Sequence, residues 1–136
     1  WGGATDGRLA YYGLGGPGLA AVEPATGNRV WMFTPPPPAG GGRGASLGAA
    51  ATTIPGVVFQ GASDGTLYAV SSTTGQPLWQ FNTARDFDTV NGIQAHGGAI
   101  SVSGAVVVDG MLFIGSGYAV SSGASAGNVL LAFGLD

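Results

Sequence analysis

The chain has 136 residues, 27 of them Gly and 8 Pro, with 45% apolar, only 8% charged and a net charge of −3. A chain this apolar buries a core, so its glycines punctuate packed structure rather than a solvated coil. The four cations are all Arg, too few for a nucleic-acid-binding face, and the absence of Cys excludes disulfides, thiolate zinc sites and a Cys nucleophile.

Taken in chain order, Asp6-Gly7 is a turn before the run Arg8 to Tyr12. Leu19 to Val22 is a second short apolar run, and Thr26-Gly27 turns it into Val30 to Phe33. Pro35 to Pro38 reads as a stiff extended linker into the Gly-rich loop Ala39 to Gly44. Ala49 to Ile54 and Val57 to Gln60 follow as strands. Asp64-Gly65 is a hairpin signal before Thr66 to Val70, and Thr74-Gly75 turns the chain into Pro77 to Phe81. Arg85 to Gly98 shows little strand pattern and reads as a long connection. Ala99 to Val102, Ala105 to Val108, Met111 to Gly115 and Asn128 to Phe133 complete the set of predicted strands. No apolar run of about 18 residues predicts a membrane-spanning helix. The chain begins at Trp1 with no signal-peptide pattern and is expected to be part of a longer protein.

A repeat organises these elements. Leu19 to Phe33 and Leu67 to Phe81 align without a gap, 48 residues apart, with Leu, Ala, Val, Thr, Gly, Trp and Phe recurring in register. Seven identities in fifteen positions exceed chance. Asp6-Gly7, Pro55-Gly56 and Asp109-Gly110 open successive units, and Asn128 to Phe133 matches Leu67 to Val70 loosely. About four strands in roughly 40–50 residues is the pattern of a β-propeller blade. The expected fold is all-β, with two to three blades in units of about 1–48, 49–98 and 99–136. Each unit's Trp, on the outermost strand, is expected to lie over the next blade and donate its indole N–H there. Where the next blade covers it, that ring is buried; alone, a chain of under three blades is expected to leave a sheet face and strand edges uncovered. The Gly four residues before each Trp supplies a tight turn.

Ala21-x-Glu23-x-x-Thr26-Gly27-x-x-x-Trp31 and Ala69-x-Ser71-x-x-Thr74-Gly75-x-x-x-Trp79 resemble the Ala-x-Asp-x-x-x-Gly-x-x-x-Trp docking motif of pyrroloquinoline-quinone (PQQ) propellers. Glu23 and Ser71 depart from its Asp, an exchange expected to weaken a turn hydrogen bond rather than the fold. Thr83 to Gly92, Gly97 to Ile100, Asp109 to Leu112, Ser116-Gly117-Tyr118 and Gly127 to Phe133 resemble the C-terminal part of polyvinyl-alcohol-dehydrogenase-like quinoproteins. The resemblance implies an eight-bladed PQQ-dependent alcohol dehydrogenase, periplasmic or secreted, acting on secondary or polymeric alcohols. It implies PQQ and calcium in the full-length protein, electron transfer to a cytochrome c, and the remaining propeller blades as partners. Tight PQQ binding to this chain alone is not expected. The alternative is a non-catalytic propeller acting as a protein-interaction scaffold.

Candidate site residues cluster in the Arg85 to Gly98 connection. PQQ carries three carboxylates, so Arg85 and Asn91 are the predicted cofactor-binding residues. A bare surface reading pairs Arg85 with Asp86 or Asp88 and makes Asn91-Gly92 a plain turn. Asp88 reads as a solvated or capping carboxylate more than a cation ligand. His96 reads as a loop residue making a backbone hydrogen bond. Arg43 lies in a loop that only superficially resembles a phosphate cradle. Tyr118 reads as a packed or rim residue rather than one at the axis. No metal ligands are assigned. The catalytic residue is unknown from this stretch, and the resemblance places the catalytic Asp and most metal ligands upstream.

Overall fold

The structure, a computed structural model, describes all residues except 17, 38–43, 121–122 and 135–136. Among the described residues every regular element is a strand. The first antiparallel sheet runs in the order β1 (Ala4–Thr5), β2 (Ala10–Gly13), β3 (Leu19–Val22) and β4 (Arg29–Phe33). The second repeats that plan with β5 (Thr52–Ile54), β6 (Val57–Gly61), β7 (Thr66–Ser71) and β8 (Pro77–Asn82). A small hairpin follows, β9 (Asp86–Asp88) and β10 (Gln94–His96). The third sheet has three strands, β11 (Val106–Val108), β12 (Met111–Ser116) and β13 (Val129–Phe133). This is a partial β-propeller.

The sequence repeat extends into hydrogen-bond register. Ala21 pairs with Trp31 and Val22 with Arg29, leaving Val30 as a bulge. Ala69 pairs with Trp79 and Val70 with Pro77, leaving Leu78 in the same place. The turns before these strands also match. Gly27 N–H donates to Glu23 O and Gly75 N–H to Ser71 O, at 2.8 and 2.9 Å. The departures from Asp are absorbed locally: Ser71 Oγ accepts from Thr74 N–H, and Glu23 takes the Thr26 hydroxyl.

Two sequence expectations are corrected. Arg85 to Gly98 is not patternless but holds the β9–β10 hairpin, in which Phe87 and Ala95 alternate with polar residues around the Asn91-Gly92 turn. Ala99 to Val102 is not a strand. Ile100 makes one isolated bridge, to Tyr118, while its side chain packs over Gly61.

The core lies between the sheets. One cluster joins Tyr11, Leu19, Ala21, Trp31 and Phe33 of the first sheet to Val58, Tyr68 and Val70 of the second. Another joins Leu67 and Phe59 of the second to Leu112, Ile114 and Leu131 of the third. Strand β7 is buried on both faces because its alternate residues serve opposite neighbours: Tyr68 and Val70 one way, Leu67 the other. At the inner edge β1 lies beside β5. There Ala51 N–H donates to Gly2 O and Ala50 N–H to Val102 O, which ties the three sheets together.

The expected latch is made at Trp31. Trp31 is 9% exposed and donates its indole N–H to Ser72 O of the next sheet at 3.0 Å. Its ring lies on Gly75, whose φ is +74° and where a Cβ would sit 2.8 Å from the indole. The Tyr11 ring stacks beside it, and the Tyr11 hydroxyl donates to Asp6 Oδ2 at 2.7 Å. Trp79 is 41% exposed. The Phe81 and Phe133 rings pack against it, and among the described residues its indole N–H has no hydrogen-bond partner.

Asp6 anchors this latch from outside. The N–H of Leu9, then the Tyr11 hydroxyl and the N–H of Arg8, hold its carboxyl down to about 2. Its folded pKa lies below its unfolded one. The stability it lends is therefore present above the ordinary Asp range and is lost as pH falls from about 4 towards 2.

Trp31→Ala should cost roughly 3–5 kcal/mol by urea unfolding, and Trp79→Ala well under half as much. In acid titrations followed by circular dichroism, Asp6→Asn should remove the part of the stability loss that falls between about pH 4 and 2.

Candidate functional site

Antiparallel order puts two kinds of segment at one end of the sheets. These are the turns after β2, β6 and β12, and the connections leaving β4 and β8. The Trp31 latch lies at the opposite end. Between the connections and turns opens a shallow cleft of about 390 Å³, bounded by Trp1, Gly15, Ser46, Gly48, Ser63, Ser101 and Val120. Its lining holds hydroxyls and no charged side chain. Ser46 Oγ donates to Gly15 O, and Ser63 Oγ accepts from Ser46 N–H. The Ser101 hydroxyl is buried without a partner among the described residues.

Gln60, fully buried, braces the cleft from below. Its Nε2 donates to the carbonyls of Ala49, Gly61 and Leu47 at 2.9, 3.2 and 3.4 Å, holding the incoming connection. Sequence reading passed over Gln60. A lone Gln amid Val and Phe on a buried strand is the signal that marks it.

The β9–β10 hairpin leaves from this same end. Its base is a close crossing of three backbones, in which Gly97, Gly98, Gly117 and Gly127 have no room for a Cβ against Thr83, Ser125 and one another. Buried hydroxyls lock the crossing. Thr83 Oγ1 donates to Gly65 O at 2.7 Å and lies 2.6 Å from Ser116 Oγ, which accepts from Gly98 N–H at 2.8 Å. Segments far apart in sequence, Gly97-Gly98, Ser116-Gly117 and Gly127-Asn128, thus converge on one point.

On the hairpin the predicted residues separate. Arg85 pairs with neither Asp86 nor Asp88. Its guanidinium lies between the Phe81 and Phe87 rings, 4.7 and 5.0 Å from their centroids, with no ion pair among the described residues. Asn91 sits exposed at the tip, where its Oδ1 accepts from the Thr89 hydroxyl and from Ile93 N–H; its amide N–H₂ has no partner among the described residues. Asp86 bonds His96 Nδ1 at 2.7 Å directly across the hairpin, and Gln94 donates to Asp88. His96 is therefore a strand residue with a carboxylate partner as well as backbone bonds to Asn128, not a loop His. Tyr118 is 66% exposed, a rim position. Arg43 lies outside the described residues.

The donor set can be weighed against PQQ, whose carboxylates need cations or amide donors and whose ring system needs a flat apolar platform. Arg85 offers a guanidinium free of carboxylate partners, Phe81 and Phe87 offer rings, and Asn91 offers N–H donors alone. These are the kinds of group that the edge of such a cofactor needs. No three acidic, His or Cys side chains come together among the described residues to hold a cation.

Repeated four-stranded sheets, a Trp-on-Gly latch and a loop-built cleft at the other end define the PQQ-type propeller class. Residues 4–132 match the family described as outer membrane protein assembly factor BamB, and the chain belongs to that family. It is 36% identical over 98% of its length to polyvinylalcohol dehydrogenase of a Pseudomonas species, covering 24% of that protein. Quinohemoprotein alcohol dehydrogenase ADHIIG from Pseudomonas putida HK5 superposes with a TM-score of 0.67 at 19% identity, over 90% of this chain and 21% of that one. BamB from Moraxella catarrhalis superposes with a TM-score of 0.61 at 20% identity, over 84% of this chain and 33% of that one. The chain spans under a quarter of the length of the curated relatives it matches.

Thr83→Val removes the centre of the buried hydroxyl network and should cost about 1–3 kcal/mol by chemical denaturation. Hydrogen exchange should accelerate in the β9–β10 hairpin more than in β6 and β7.

Proposed function

We propose that this chain is part of a PQQ-dependent alcohol dehydrogenase that oxidises secondary or polymeric alcohols in the periplasm or outside the cell. The observation that carries the reading is its 36% identity to polyvinylalcohol dehydrogenase over 98% of the chain. The geometry agrees: a guanidinium with no ion pair among the described residues, two aromatic rings and an exposed amide issue from the same end of the sheets as the hydroxyl-lined cleft. Arg85 and Asn91 would hold carboxylate or quinone oxygens of the cofactor. Bound PQQ with calcium supplies a two-electron acceptor for alcohol oxidation. This chain's part is to bind and orient its edge, with β8 and the hairpin base keeping Arg85 on its aromatic bed. Remaining propeller blades supply the carboxylate base and cation ligands, and a cytochrome c takes the electrons.

The test uses the protein containing this chain together with its remaining blades. Loaded with PQQ and calcium, it should reduce a dye acceptor when given secondary alcohols or polyvinyl alcohol, and no activity on any alcohol would overturn the reading. Arg85→Ala should raise the PQQ concentration needed for half activity by about 10- to 100-fold, the worth of one charge-assisted hydrogen bond. Residues 1–136 alone should show no sub-micromolar PQQ affinity by calorimetry.

A second reading, a non-catalytic scaffold for protein partners, is favoured by the family description and by the likeness to BamB. It expects co-purification of a defined envelope partner and no cofactor-dependent activity.

A further inference from the structure

We propose that Asn91 is a self-modifying site: in the folded protein its side-chain amide is lost without an enzyme, leaving aspartate or isoaspartate at the hairpin tip. The proposal rests on the geometry of the β9–β10 hairpin and not on the redox reading.

The chemistry needs a backbone nitrogen that can reach the side-chain carbonyl carbon of the residue before it. Of the four Asn residues, Asn28, Asn82, Asn91 and Asn128, only Asn91 precedes a Gly. The residue after each of the others is held in place. Arg29 pairs with Val22 in β3, and Val129 with Ser116 in β12. Thr83 is fully buried, and its N–H donates to Gly65 O at 2.9 Å. Gly92 is different. It is exposed in the turn between β9 and β10, with φ +74° and nothing within 4 Å of where a Cβ would stand. One bond holds it, from its N–H to Thr89 O at 3.0 Å. Opening a single turn bond that water can replace costs little.

The electrophile is prepared as well. Asn91 Oδ1 accepts from the Thr89 hydroxyl and from Ile93 N–H, the latter at 3.3 Å. These donors draw electron density from Cγ and stabilise the negative charge that attack places on Oδ1. Water has open access, since the flanking Val90 and Ile93 are 110% and 63% exposed. The Gly92 nitrogen gives its proton to solvent base and forms a bond to Asn91 Cγ. The bond from Cγ to the side-chain nitrogen breaks, and that nitrogen leaves as ammonia with a proton from water. The product is a succinimide. Water opens it at one carbonyl to give aspartate, or at the other to give isoaspartate, with the main chain running through Cβ and Cγ. One water is consumed and one ammonia released, with no change of oxidation state. The tip thereby exchanges an N–H₂ donor for a negative charge. Asp86 already has His96 as its partner and Asp88 has Gln94, so the new carboxylate adds to the acidity of the hairpin.

The test takes the protein containing this chain, with no cofactor added, at mildly alkaline pH. Peptide mass mapping follows it, with the same protein unfolded in urea as the reference. The peptide holding Asn91 should gain the mass of an amide-to-acid conversion and split into two products, one of them a substrate for an isoaspartyl methyltransferase. Conversion at Asn91 should run at least about tenfold faster than at Asn28, Asn82 or Asn128, and within about tenfold of its own rate in urea. Asn91→Gln, whose amide stands one methylene farther out, should remove both products while circular dichroism is unchanged. An Asn91 that stays intact in the folded protein while it converts in urea would overturn the proposal, because the turn would then hold Gly92 shut. Equal conversion at every Asn, or acidic products that persist in Asn91→Gln, would overturn it too.

Discussion

Everything in this fold depends on one contact, the Trp31 indole lying flat on the backbone of Gly75. A four-stranded antiparallel sheet with two apolar faces has no stable existence alone, since one face or the other must meet water. Stacking sheets solves this only if their spacing and tilt are fixed. The indole fixes both: its ring fills the space over a residue without a Cβ, and its N–H takes the Ser72 carbonyl. Tyr11 and Asp6 extend the contact to the surface. Where the contact is made, the ring is buried. Trp79, in the same register on β8, is 41% exposed.

At the other end of the sheets a different constraint operates. There the chain passes from sheet to sheet, and backbones cross too closely for side chains. Gly97, Gly98, Gly117 and Gly127 permit the crossing, and the Thr83 and Ser116 hydroxyls satisfy the carbonyls and N–H groups that it buries. The hairpin is thereby held on a rigid base, which is where a binding residue is best placed. Arg85 lies at this base, its guanidinium resting on two aromatic rings with no ion pair among the described residues.

The same architecture serves oxidation in some relatives and envelope assembly in others, so fold alone does not choose between them. The choice lies with side chains at the cleft and hairpin end. In this chain those are hydroxyls, a guanidinium with no ion pair among the described residues, and an amide.

The repeat, the strands from Val57 to Phe81 and the turns at Gly27, Gly75 and Gly110 were legible because they are local. Alternation, Gly placement and a 48-residue period follow from backbone sterics and side-chain size alone. The hairpin at Asp86–His96 escaped because its strands are three residues long, and only the Asn91-Gly92 turn was strong enough to notice. The identity of two Trp residues in register determined where they sit on their strands. Which of them is buried was decided by whether another sheet's turn arrives to cover it, a contact spanning some 40 residues that no local pattern contains. In the same way, sequence determined that Arg85 is a cation in a connection. Tertiary structure decided that it lies between Phe81 and Phe87 instead of pairing with Asp86: alternation along β9 turns Phe87 to one face and Asp86, with its partner His96, to the other.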